Sequence, residues 1–130
     1  MPAIIHCIGI TNLEWEQSIE EYCEKIGIDI SWFINLENYR PTAIPDFIIW
    51  RAAKFSRENL VAIKKRVPKI ISPIVVFSYI DRKRMPIIYK RVTKISFENQ
   101  VSAFFTLSYD LNEFHGQLKE IDKILKLRWF

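Results

Sequence analysis

Glycine and cysteine are scarce in this chain, with three and two copies among 130 residues. No glycine-rich loop accompanies its basic residues, which makes nucleotide binding the weakest form of anion recognition open to it. Cys7 and Cys23 lack the spacing of a metal site, so reduced thiols and no bound metal are expected. No apolar run approaches the roughly 20 residues that cross a bilayer, and the start of the chain lacks the basic opening of a secretory signal. The expectation is a cytoplasmic protein without a membrane partner. Internal repeats, linkers and low-complexity stretches are missing too, so residues 1–130 are expected to form a single domain.

Acids are scarce in one region only. Residues 1–50 hold eight acids against Lys25 and Arg40, a net −6. Residues 51–100 hold thirteen Lys and Arg against Glu58, Asp81 and Glu98, a net +10. The remainder balances, leaving +4 overall. Such polarity governs association and steering, not fold. Hydrophobic residues make up 49% of the chain and charged residues 26%, the balance of an ordered protein that buries a core.

Strand and helix patterns alternate. Residues 3–10 are a nearly continuous β-branched apolar run, as in a strand buried on both faces. Thr11 and Glu14 form a capping box for a helix from about Asn12 to Ile26. Its inward face is Trp15, Ile19, Tyr22, Cys23 and Ile26; Glu16, Glu20, Glu21 and Glu24 face outward. Gly27 suits a left-handed helix end. Residues 28–34 read as a second strand, and 35–45, with Pro41 and Pro45, leave room for one or two helical turns. Residues 45–51 form a third strand and 73–78 a fourth. Between them Ser56 caps a helix to about Val67, with Leu60, Ile63 and Val67 inward. In 79–101, the alternation over 92–97 would suit an added strand, but the expectation is a short fourth helix opened by Pro86, with Ile87, Ile88 and Val92 buried. Residues 102–106 are a fifth strand. Asp110, boxed with Glu113, then starts a helix whose Leu111, Phe114, Leu118, Ile121 and Leu125 recur at helical spacing. The pattern implies an α/β fold: a flavodoxin-like (CheY-like), doubly wound five-stranded parallel sheet, order 2-1-3-4-5, with a reduced second helix.

Two stretches carry a family resemblance. Pro45-Asp46 enters the third strand just before an apolar run, and Phe104 to Phe114 takes the last strand through a corner into the last helix. Both resemble a response-regulator receiver domain. The resemblance implies metal-binding acids at about Ile8, Gly9 and Ile10. It implies a phospho-accepting Asp at Arg51, or at Trp50 if the register slips by one. It also implies a Ser or Thr at Ser78, and a Lys-Pro pair where Leu107 and Ser108 stand. Gly9, Arg51, Ser78 and Leu107 are thus the positions of a degenerate phosphorylation site, without a carboxylate nucleophile, a metal or a cofactor. The chain looks like an atypical (pseudo-receiver) member. Such a member is not an enzyme; it is expected to act in signalling independently of phosphorylation, through protein partners such as a kinase or regulator. The contact face implied is the fourth helix, fifth strand and fifth helix, with Tyr89, Arg91, Phe97, Phe104 and Tyr109 as candidates and a homodimer as the expected assembly. Phe104 stands at the receiver's switching aromatic, although a core role on a buried strand is the plainer account.

Other groupings are weaker. Arg51, Lys54, Arg82, Lys83 and Arg84 would lie near the carboxyl edge of such a sheet and could bind an anion; a solvated basic rim is the plainer account. The alternative function is a small nucleic-acid-binding regulator that uses residues 51–94, with Tyr79, Tyr89 and Phe97 stacking on bases, against which the acidic first helix weighs. Cys7 beside His6 or His115 has no third orienting group. Cys7 is therefore expected to be a small core residue, and His6 to satisfy a backbone group. Trp129 and Phe130 end the chain with apolar surface that either folds back or meets a partner.

Overall fold

An apolar run without alternation is stable as a strand only where helices cover both faces of its sheet. The computed structural model of the protein describes residues 4–10, 13–52, 55–66, 74–78, 80, 82–98, 101–106 and 110–129, with the side chains of 97, 102, 103 and 124–129 outside the description. The elements are β1 (Ile4–Ile8), α1 (Leu13–Ile26), β2 (Asp29–Phe33), β3 (Phe47–Ala52), α2 (Arg57–Arg66), β4 (Ile74–Ser78), α3 (Pro86–Glu98), β5 (Val101–Thr106) and α4 (Leu111–Trp129). All strands pair in parallel, in the order β2-β1-β3-β4-β5. This is the flavodoxin-like, doubly wound arrangement, and β1, β3 and β4 at its centre are almost wholly buried.

The two-residue period of the strands divides the core in two. Ile5, Cys7, Ile49, Val75 and Phe77 face α1 and α4, which cover them with Trp15, Ile19, Phe114 and Leu118. Ile8, Ile48, Trp50 and Val76 face the other way, under Leu60 and Ile63 of α2 and under Tyr39. In the first layer the rings of Trp15 and Phe114 stack at 4.4 Å and 5°. Tyr22 of α1 donates a hydrogen bond to Asp122 of α4, which ties the two helices beside that stack.

Helix ends follow local chemistry. Gly27 has φ of 72°, the Ile28 N–H reaches the Cys23 carbonyl at 2.8 Å and the Gly27 N–H reaches that of Glu24 at 3.3 Å. This is the paired left-handed closure expected of a helix-ending glycine. Ser56 Oγ accepts from the Asn59 N–H at 3.1 Å. Asp110 caps α4 as expected: its carboxylate accepts from the N–H of Asn112 at 2.9 Å.

Four expectations require correction. The segment between β2 and β3 forms no helix, only a turn in which Asn35 Oδ1 accepts from the Asn38 N–H at 2.9 Å. Tyr39 fills the space a helix would cover and is fully buried. Among the described residues the His6 ring meets no backbone group; its Nδ1 shares a hydrogen bond with Tyr39 Oη at 3.0 Å, and both rings pack edge-on against Phe33. Residues 92–97 belong to α3, in agreement with the helix expected after Pro86. Ile87 and Ile88 are exposed, at 77% and 46%, because the inward stripe of α3 runs through Tyr89, Val92 and Ser96. Ile26 is likewise exposed at the overhanging end of α1. The Thr11 cap, Val67 and the side chain of Leu125 lie outside the described residues.

Two outcomes follow. Replacing Phe114 by Ala removes the ring stacked on Trp15 and is expected to cost about 3–5 kcal/mol, read by denaturant unfolding. Burial holds the His6 pKa below its ordinary value of 6.5. The unfolded chain therefore binds the proton more readily, so stability present above pH 6.5 is lost as the pH falls below it. Unfolding free energies measured against pH should show this slope, and His6→Phe should remove it.

Candidate functional site

Parallel strands deliver all their carboxyl ends to one edge, where open α/β sheets gather functional groups. β1 and β3 pair in register from Ile5 with Phe47 to Ile8 with Trp50, so Gly9 and Arg51 arrive there together. Gly9 has φ of 79°, in the left-handed region that side chains resist. A Cβ built on it would lie 2.8 Å from the Arg51 carbonyl oxygen, so the residue can only be glycine without the strand ends parting. The Gly9 N–H bonds the Phe33 carbonyl of β2 at 2.9 Å. Its own carbonyl accepts from Arg51 Nη1 at 3.1 Å. A half-buried guanidinium thus closes over the end of β1, and the neighbouring Ile8 and Ile10 are buried.

A divalent cation held at this edge would need several hard, anionic oxygen ligands. The side chains here are Ile8, Ile10 and Arg51, beside a carbonyl that the guanidinium already engages. Among the described residues no three His, Cys, Asp or Glu side chains converge. These residues do not fit a Mg²⁺ ion.

Ser78 ends β4 opposite Ala52 and Thr106, only 3% exposed. It caps no helix: its Oγ accepts from the Ile80 N–H at 3.4 Å, while Thr106 donates to the Ile80 carbonyl at 3.0 Å. Leu107, Tyr109 and Lys54 lie outside the described residues, as does the Phe97 side chain. Of the basic rim, Arg82, Lys83 and Arg84 are exposed in a turn after β4, and Arg51 is the half-buried group on Gly9.

On the far side of β5 three rings form a row. Phe104 meets Phe55 at 5.4 Å and Tyr89 of α3 at 6.0 Å, both edge-on. Phe104 is half-buried, and the exposed Arg91 lies on the same helix as Tyr89. Phe55 and Tyr39 were not singled out in the sequence, since a lone aromatic in a loop carries no period. Cys7 and His6 point to opposite faces of β1, and the exposed His115 shares a hydrogen bond with Ser18 at 3.2 Å, so no nucleophile–base pair forms among them. Burial raises the Cys7 thiol pKa and lifts that of Cys23 to about 11, keeping both protonated.

No protein-family model matches the sequence, and no curated protein does. Solved structures do. A response regulator from Thermotoga maritima shares 14% identity over 93% of this chain and 98% of that one, with a TM-score of 0.58. A response regulator receiver protein from Pseudoalteromonas atlantica shares 12% over 94% and 98%, with a TM-score of 0.60. The BeF3-activated DrrB receiver domain shares 12% over 95% and 98%, with a TM-score of 0.61. The chain has the fold of receiver domains over nearly its whole length. Among the described residues no helix is long and apolar enough to cross a membrane.

Gly9→Ala is expected to lower stability by at least about 1–2 kcal/mol, from left-handed strain alone, with the contact on Arg51 adding to it. A thermal melt checks this, and Gly116→Ala, where nothing lies within 4 Å, serves as the control expected to lose none.

Proposed function

We propose that this chain is a receiver-like regulatory domain that is neither phosphorylated nor catalytic and that acts in signalling through contacts with other proteins. The observation that carries the proposal is the Arg51 guanidinium on the Gly9 carbonyl. It stands at the strand ends where a receiver needs metal-binding acids and an acceptor carboxylate. A permanent cation there opposes Mg²⁺, and an arginine offers no oxygen to form an acyl phosphate. The buried hydroxyl of Ser78 is a poor acceptor for the same edge. The proposed contact face runs over α3 and β5, where Arg91 lies exposed beside the Tyr89–Phe104 pair. Its partners include a second copy of the chain.

Incubation with acetyl phosphate, or with beryllium fluoride and Mg²⁺, is expected to leave the intact mass and the backbone NMR spectrum unchanged. Stoichiometric phosphoryl uptake, or a spectrum that shifts around the ends of β1, β3 and β4, would overturn the proposal.

A further inference from the structure

The charge asymmetry of the sequence becomes a spatial one in the fold. α3 presents Ile87 and Ile88, 77% and 46% exposed, on a surface shared with the exposed Lys90, Arg91 and Lys94. These positions are three and four residues apart, so they form one patch of apolar and cationic side chains. Arg82 and Arg84 extend it toward the preceding turn. The only acid on α3, Glu98, lies at the far end of the helix, paired with Arg57 at 3.0 Å.

A complementary surface lies elsewhere on the same chain. The last turns of α1 and the edge strand β2 enclose an open groove of about 550 Å³. Its walls carry the carboxylates of Glu20, Glu24 and Asp29, and Cys23, Ile28 and Ile30 line it as well. The three acids are exposed, while Cys23 and Ile28 are buried. Anionic walls with the half-buried Ile30 between them suit a helix face that carries exposed cations.

The two surfaces cannot meet within one molecule. The groove lies at the β2 edge of the sheet, on the side that α1 covers. α3 packs along β5, the opposite edge, with Tyr89 on the ring of Phe104 in the other layer of the core. They can meet between copies. We infer that the α3 face of one copy docks into the α1–β2 groove of the next, giving a head-to-tail contact. The surfaces joined are different, so the contact is heterologous and each pair leaves one groove and one α3 face open. Association then continues beyond two copies, into a filament or a ring. This deepens the proposed function by naming the partner of the α3 face, and it does not depend on the phosphoryl-probe result.

Complementation tests it. One variant reverses the helix (Lys90→Glu with Arg91→Glu) and keeps the groove; the other reverses the groove (Glu20→Lys with Glu24→Lys) and keeps the helix. All four positions are exposed, and circular dichroism checks that both variants fold. By sedimentation velocity at about 50 mM salt, the unaltered chain is expected to exceed the mass of a pair as concentration rises, and to weaken at least tenfold by about 500 mM salt as screening shortens the reach of the charges. Each variant alone should sediment as a single chain. An equal mixture should associate again and grow beyond a pair in alternating order, because the reversed helix meets the reversed groove and the unaltered helix meets the unaltered groove. Three results would overturn the inference: an unaltered chain that stays single at low salt, a groove variant that still self-associates, as an isologous dimer through α3, β5 and α4 would, or a mixture that forms no pair.

Discussion

Parallel pairing obliges the chain to return to the same side of the sheet after every strand, and so to bring every strand end to one edge. At that edge the backbones of β1 and β3 come so close that a single methyl group on Gly9 would press on the Arg51 carbonyl. The guanidinium then folds back onto the Gly9 carbonyl. An unpaired carbonyl at a strand end would otherwise have to be solvated or carry a desolvation cost. Here the place where α/β sheets gather ligands is used to tie strand ends together.

The missing second helix shows how the same frame tolerates an omission. A sheet face left bare would expose β1 and β3, whose residues are almost all apolar. Tyr39 covers it with one buried ring, and His6 gives its hydroxyl a partner inside the core. A buried phenol without a hydrogen bond would be costly, and so would a charged imidazole, so each group makes the other tolerable in its neutral form. Asp46 completes the loop: its carboxylate accepts from the Ile4 N–H at 2.9 Å, and its own N–H reaches the Ile4 carbonyl at 2.8 Å, fixing the start of β3 against the start of β1. The Pro45-Asp46 pair is therefore a register device at the amino edge, remote from the chemistry of the opposite edge.

Charge is distributed by a different logic. The acids of α1 and the cations of α3 do not stabilise the sheet, and exposed pairs such as Arg57–Glu98 contribute only about 0–1 kcal/mol. Their separation to the two edges of one sheet gives the molecule a direction, which matters only when another molecule arrives.

Elements whose environment is symmetric were legible from residue order. β1, β3 and β4 are buried on both faces, so an unbroken apolar run is sufficient to find them, and Gly27, Ser56 and Asp110 mark helix ends through interactions within a few residues. Arg51 and Gly9 could be placed at the carboxyl edge from the strand pattern alone, but their contact joins residues 42 apart in sequence and became visible only when β1 and β3 paired. The orientation of α3 was not legible. Ile87 and Ile88 are as apolar as Val92, and only the position of Phe104 beneath the helix decides that Tyr89, Val92 and Ser96 turn inward. Local sequence determined which segments are strands and helices, because hydrophobic period and capping act over a few residues. Tertiary structure decided which faces those segments bury and which distant groups they bring together, because that depends on surfaces supplied by the rest of the chain.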